Sequence, residues 1–306
     1  MPYFDIPVLF LTYNRLEKTK KSFERIREVK PEKLYFFSDG PKDLKDANKV
    51  RSIRKYLEEN INWKCYFNKK YNSKNFGCRK GVSTAIDWFF ESVKFGIIIE
   101  DDCVPDISFF NYSRQLLIKY ADDNRIMHIS GSNNGLLTIN NEDYYFSKYA
   151  LIWGWATWKR SWEKYDLELN TLPKNISKVL FSKTFGSLHQ KFYWLNAFIS
   201  MYFNKHDTWD LSWFYTCAIN GYSIIPNKNM VENIGFDQEA THTKSMDNYI
   251  LHNSSTLRLS NFPEQVIHLK ANDKKLFKTF FKPRSIFFEG TKFLLNLLKL
   301  IKKQVL

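Results

Sequence analysis

The sequence predicts an α/β fold, a mostly parallel sheet flanked by helices and followed by a basic amphipathic helical tail, and three observations predict it. Strand-like apolar runs alternate with helix-period segments over the first 135 residues, the order that builds a parallel sheet through crossover helices. The strand-like runs are almost continuously apolar, as in strands covered on both faces. The last 35 or so residues change texture, with apolar residues at helical spacing and lysines between them. A main domain is expected over residues 1–245, in two parts, 1–135 and an aromatic-rich 136–245. An extension follows over 246–306.

The elements follow in order. "PVLFLTYN" (7–14) reads as a first strand, and "RLEKTKKSFERIREV" as the amphipathic helix behind it. "KLYFFSDG" (33–40) is a second strand closed by a turn signal, and "LKDANKVRSIRKYLEEN" a second helix. A third strand is expected near 62–68, then the helical period of "CRKGVSTAIDWFFESV". "GIIIEDD" is a fourth strand, followed by a helix from about Asp106 to Tyr120 and a strand at "RIMHISGS". Each assignment rests on apolar period, near 3.6 for the helices and short continuous runs for the strands.

Bulk composition removes several classes. The chain has 306 residues, 44% hydrophobic and 17% aromatic, which suffices for a large core. Cys65, Cys78, Cys103 and Cys217 are too scattered for a zinc-type pair. "IPVLFL" is too short an apolar run for a signal peptide, so a reduced, cytoplasmic protein is expected. The net charge is +14, and Lys270 to Lys303 holds ten basic residues against Asp273 and Glu289, an excess of +8. The basic excess is therefore mostly a property of the tail. Nucleic-acid binding is excluded as a first reading, because no recognition module is visible and the charge is not on the main body. An anionic membrane surface suits the tail better, and its longest apolar run is far below the ~20 residues that span a bilayer. The alternative for the tail is a helix packed on the protein with a solvated lysine face.

Ligands of open parallel sheets bind beyond the carboxyl ends of the strands. Here those ends are Thr12 to Arg15, Ser38 to Gly40 and Glu100 to Asp102. Side-by-side carboxylates at a half-buried strand end repel one another and lose hydration. A hard divalent cation, Mg²⁺ or Mn²⁺, compensates them, and commonly takes one or two protein carboxylates plus substrate phosphates. Neighbours on an extended chain point opposite ways, so one acid is expected on the metal and another on a sugar or ribose hydroxyl. "EDD" alone occurs on many exposed turns; the "GIIIE" strand, the three preceding βα units and Asp39 at another strand end give it weight.

Seven of the nine tryptophans lie between Ile152 and Trp213. Most are expected to pack an irregular core. Trp153 and Trp155, in "IWGWATW", are the expected exceptions, because a turn at the glycine projects alternate aromatics and an aromatic face suits the C–H face of a pyranose.

The order "PVLFLTYNR", "FFSDG", "GIIIEDD", "GWATW" resembles metal-dependent nucleotide-sugar glycosyltransferases with the Rossmann-like GT-A fold, above all N-acetylglucosaminyltransferase I and related bacterial enzymes, over residues 5 to 245. The resemblance makes 1–135 the nucleotide-binding part and 136–245 the part that shapes sugar and acceptor sites. It places Asn14 and Arg15, with Thr12, beside the nucleotide and Asp39 at the base. It makes Asp102 the metal ligand, with Asp101 near the ribose and Glu100 near the donor sugar. Arg79 and Lys80 would reach the donor, ordinary helix-surface charge being their other reading. Trp155 would line the sugar. An inverting transfer needs a base for the acceptor hydroxyl; the resemblance implies Asp210 in "KHDTWDLSW", with Asp207 as runner-up, while a helix N-cap is the plainer role for Asp210. His242, in the loop-like "NIGFDQEATHT", would be a second metal ligand.

The function expected is transfer of a sugar, most simply from a UDP-sugar, to a hydroxyl of a membrane-associated glycan, with the tail holding the enzyme on the inner face of the cell membrane. The first rival is a nucleotidyltransferase that makes a nucleotide sugar. Such enzymes carry a glycine-rich basic loop after the first strand, and "TYNRLEKTKK" has no glycine. The second, a non-enzymatic membrane-active protein, leaves the acid triplet without a purpose.

Overall fold

A computed structural model describes residues 4–136, 141–181, 184–204, 206–236, 253–281 and 283–305. Its first two-thirds run β1 (Val8–Thr12), α1 (Leu16–Val29), β2 (Lys33–Ser38), α2 (Leu44–Asn60), β3 (Tyr66–Tyr71), α3 (Gly77–Ser92), β4 (Phe95–Glu100), β5 (Cys103–Pro105), α4 (Ile107–Lys119), β6 (Ile126–Ser130), β7 (Tyr144–Ser147), β8 (Trp155–Trp158) and a short α5 (Lys159–Trp162). The remainder runs α6 (Leu172–Phe181), α7 (Leu188–Asn204), α8 (Asp210–Asn220), β9 (Tyr222–Pro226), β10 (Val231–Asn233), α9 (Lys270–Leu276) and α10 (Ile286–Val305). The expected third strand lies a few residues later than its apolar signal. Trp63, within the expected span, is tucked into the core and donates its indole N–H to the Pro31 carbonyl at 2.9 Å.

Eight strands form one mixed sheet in the order β3-β2-β1-β4-β8-β6-β9-β7. The β3, β2, β1 and β4 ladders are all parallel, as are β6 and β9, while β8 and β7 run against their neighbours. Strict alternation sends Val8, Phe10, Leu34, Phe36, Ile97 and Ile99 to one face, under α1, α2 and α4. Leu9, Leu11, Tyr35, Phe37 and Ile98 go to the other, under α3 and α8. Covered on both faces, these strands must be apolar throughout. Register aligns Thr12 with Ser38 and Leu11 with Glu100, so the polar ends of β1, β2 and β4 share one edge.

The helices start where short polar side chains satisfy their first amides. Asp43 accepts from the Asp46 N–H at 2.8 Å at the head of α2, and Asp106 from Ser108 N–H at 2.9 Å at the head of α4. The aromatic-rich part is more regular than its composition suggests: it supplies β7, β8 and a helical layer of α6, α7 and α8 with its own core.

Residues after 252 fold back onto this body. Leu257 is buried in the sheet core. The buried Asp273 carboxylate accepts from the Ser147 hydroxyl, the Lys148 N–H (3.0 Å) and His268 Nε2 (2.6 Å), pinning α9 to the end of β7. α10 lies along α7, with Phe293 stacked on Phe192 and Asn196 donating to the buried Glu289 carboxylate at 2.8 Å. No helix of the described residues is long and apolar enough to cross a membrane.

Candidate active site

The aligned ends of β1, β2 and β4 form the floor of a cleft of about 460 Å³, of the size that takes a small ligand. Thr12, Asn14, Arg15, Asp39, Glu100, Asp101 and Asp102 line it, together with Asp207 and Asp210. Trp153, Trp194, Leu211, Phe214, Phe236 and Phe281 line the aromatic half.

The acid triplet is partly compensated from within. The Arg15 guanidinium pairs with the Asp101 carboxylate through one nitrogen and with Asp102 Oδ2 at 3.0 Å through the other. Asp101, 3% exposed, also accepts from the Tyr13 N–H at 3.2 Å. Burial pushes the Asp101 carboxyl above its ordinary range even so, and the two acids hold the Arg15 guanidinium more firmly charged. Glu100 makes no ion pair among the described residues: loss of hydration first, then the charges of Asp102 and Asp101, push it up to about 8 against the pull of Arg15.

Asp102 is held at the junction of two chain segments. β5 and β10 pair antiparallel with Cys103 opposite Asn233, and the Asp102 carbonyl accepts from the Ile234 N–H at 2.8 Å. Gly235 then lies so close that an added Cβ would overlap the Asp102 carboxylate. His242 lies outside the described residues. Among the described residues no group of three His, Cys, Asp or Glu side chains encloses a metal position. Asp102 at the cleft edge, with one oxygen on Arg15, and Glu100 beside it leave an excess of negative charge that fits a hard cation taking its other ligands from a bound diphosphate and water.

Asp39 lines the cleft as expected, but its oxygens are filled by protein donors: Gly40 N–H (2.9 Å), Asn72 (2.9 Å), Asn75 (3.0 Å) and the Phe76 N–H (3.1 Å). It shapes the floor by fixing the loop into α3. Asp207 accepts through Oδ1 from the Arg79 N–H at 2.9 Å at the head of that helix. Asp210 is the first residue of α8; its Oδ1 accepts from the Thr208 hydroxyl and the Leu211 N–H (2.8 Å). Among the described residues no protein donor reaches its Oδ2, so one carboxylate oxygen is left to the cleft.

Three expectations are corrected. α3 turns Gly77, Cys78, Gly81 and Val82 to the cleft, and at 100° per residue this carries positions 79 and 80 round to other faces. Arg79 is buried against Glu168 (2.9 Å) and the Leu167 carbonyl (2.9 Å), and Lys80 is exposed away from the cleft lining. Trp155 is fully buried, stacked on Trp209 and His128 on the underside of the sheet. The expected turn exists, with Gly154 at φ +59, but it sends Trp153 to the cleft and Trp155 to the core.

Sequence reasoning missed Tyr13, Lys42, Asn75 and Asn134 in the lining. Lys42 Nζ lies over the Tyr13 ring at 5.7 Å, and the Tyr13 hydroxyl and Asn14 amide (2.6 Å) both bond Asp46. "YN" after a strand and "PKD" after a turn were the only local signals for this group.

No family model matches the chain, and no curated protein matches it. Solved structures resemble it weakly. A mannosyltransferase from Pyrobaculum calidifontis, in complex with GDP-mannose and Mn²⁺, is 9% identical over 71% of this chain and 77% of its own, with a TM-score of 0.38. HddC from Yersinia pseudotuberculosis is 13% identical over 55% of this chain and 86% of its own, at 0.35. A UDP-glucose pyrophosphorylase bound to UDP-glucose is 15% identical over 56% and 82%, at 0.33. At such scores the likeness carries no activity and no substrate over to this chain.

Proposed function

We propose that the chain is a metal-dependent glycosyltransferase of the GT-A kind, moving a sugar from a nucleotide-diphosphate donor, most simply a UDP-sugar, to an acceptor hydroxyl with inversion. The observation that supports it is the convergence on one cleft of the Glu100–Asp101–Asp102 strand end, the Asn14/Arg15 turn and an Asp210 whose Oδ2 accepts from no donor among the described residues.

In this reading the nucleoside lies over the ends of β1 and β2, on the floor that Asp39 and Asn75 hold in shape. Asp101 stays locked to Arg15 and the Tyr13 amide and keeps the turn after β1 in place. Asp102 would hold a divalent cation together with the donor diphosphate; bound there, the ion acts as a Lewis acid that neutralises charge developing on the leaving group. Lys42, at the cleft wall, adds a second positive charge on that side. Glu100, beside the Asp102 cation position, accepts from a sugar hydroxyl of the donor. Asp210, anchored through Oδ1 at the head of α8, removes the acceptor proton with Oδ2 as the C–O bond forms. Trp153 and the aromatic half of the cleft face the sugar and acceptor.

Calorimetric titration with UDP, GDP, CMP and their sugars, each in Mn²⁺ and in chelator, tests this. Metal-dependent binding of one nucleoside diphosphate is the expected result, and absence of binding in both conditions overturns it. Product analysis separates the rival: pyrophosphate exchange with a nucleoside triphosphate and a sugar phosphate would mark a nucleotidyltransferase.

A further inference from the structure

We propose that the outer face of α10, with the basic rim around its start, is a docking surface for an anionic lipid bilayer. α10 carries two apolar faces where a helix packed on its own protein needs one. The inner face is used: Phe293 and Leu300 are buried, Phe293 lies against Phe192 of α7, and Glu289 is tied to Asn196. The outer one is left to solvent: Phe287 is 84% exposed, Leu294 61%, Leu298 57% and Ile301 48%. Their spacing of seven, four and three residues keeps them on one narrow stripe at 3.6 residues per turn.

Charge selects the occupant. Lys292, Lys299 and Lys302 are exposed along one flank of that stripe. At its start stand the exposed Arg284, whose guanidinium lies over the Phe288 ring at 4.4 Å, and exposed Lys274 and Lys278, which rim a pocket with Ser187 and His189. The two acids between Lys270 and Lys303, Asp273 and Glu289, are both buried in the packing that holds the segment down. Among the described residues the outward surface of this segment therefore exposes basic, apolar and neutral polar side chains and no acid. A second copy would bring like charge against like charge, and a nucleic acid has no use for the apolar stripe. An anionic bilayer satisfies both, with the stripe at the acyl boundary and the lysines among the headgroups.

The placement also bears on the acceptor, and this step rests on the transferase reading above. Phe281 lines the aromatic half of the cleft and α10 begins at Ile286. Five residues reach at most about 17 Å, so a docked α10 holds that end of the cleft close to the lipid surface. A sugar acceptor carried on a lipid is thereby the acceptor class that the cleft would meet.

Vesicle flotation of the full chain tests the docking, with phosphatidylcholine vesicles against vesicles containing about a third phosphatidylglycerol. Two variants accompany it: Phe287→Ser/Leu294→Ser/Leu298→Ser, and Lys292→Gln/Lys299→Gln/Lys302→Gln. All six side chains are exposed, and unchanged melting temperatures confirm that the fold is kept. Expected is at least tenfold stronger wild-type partitioning to the anionic vesicles, a tenfold or greater loss in the stripe variant, and loss of the anionic preference in the lysine variant. No vesicle binding by the wild type, equal binding by the stripe variant, or a stripe-dependent dimer in lipid-free buffer overturns the proposal. Nucleotide binding measured in the same variants reports on the transferase reading separately, since none of these residues lines the cleft.

Discussion

Replacing Arg15 by Met leaves the aliphatic volume and removes the one cation that, among the described residues, forms an ion pair with the acid triplet. The Arg15 side chain is 17% exposed, Asp101 4% and Asp102 15%, so the pair is largely out of water. Breaking a buried pair costs roughly 3–5 kcal/mol, because the surviving charge is left uncompensated. Asp101 keeps its bond from the Tyr13 amide and Asp102 keeps some water, which puts the expected loss near the lower end, about 3 kcal/mol. Urea denaturation reads this as a fall in midpoint on the order of 1 M at unchanged slope. The same experiment tests the cation site. If Asp102 and its neighbours accept Mn²⁺ with UDP, ligand at a hundred times its dissociation constant returns about 2.7 kcal/mol, and most of the lost midpoint comes back. A variant as stable as the wild type refutes the pairing. A loss that Mn²⁺ and UDP together leave untouched refutes the acids as a cation site.

Gly235→Ala forces a methyl group against the Asp102 carboxylate; nucleotide affinity in Mn²⁺ is expected to fall at least tenfold with the melting temperature nearly kept, as calorimetry and a thermal scan will show. Asp210→Asn is expected to lower turnover by on the order of 10² with donor binding retained, and steady-state kinetics beside a donor titration separates the two. Trp155→Ala should cost roughly 3–5 kcal/mol of stability, whereas Trp153→Ala should spare stability and weaken sugar or acceptor binding; equal destabilisation of both would contradict the turn at Gly154. His128 supplies a pH dependence. Its Nδ1 accepts from the Trp213 indole N–H at 3.1 Å, so Nε2 carries the proton and donates to the Leu151 carbonyl at 3.0 Å. Burial lowers its pKa from 6.5 to about 3. The unfolded chain therefore binds more protons between those values, and stability drains away as pH falls from 6.5 toward 3, by up to about 5 kcal/mol; urea midpoints from pH 7 to 4 should flatten in His128→Gln.

The part of the molecule legible in the residues alone is the part governed by short-range periodicity. Strands β1, β2 and β4, the helices between them and the polar strand ends were legible because each is a run of adjacent residues whose apolar spacing matches one geometry. Sheet logic then carried Thr12, Asn14, Asp39 and the Glu100–Asp102 triplet to one edge, whereas Asp210, which lines the same cleft, was reached only through the family resemblance. What each of these side chains meets there depends on residues brought together by folding. Arg15 and Asp101 are 86 residues apart, and nothing local announces that one neutralises the other. Asp39 reads as a free acid until Asn72, Asn75 and the Phe76 amide close on it. Arg79 and Trp155 sit one residue from cleft-lining Cys78 and two from Trp153, and a rotation of the helix or a glycine turn suffices to send them elsewhere. In the tail, composition announced an amphipathic helix but not which of its apolar faces would be covered. That depended on α7, more than eighty residues away in the chain, because the free energy of burying a face is set by the partner that covers it and not by the pattern alone.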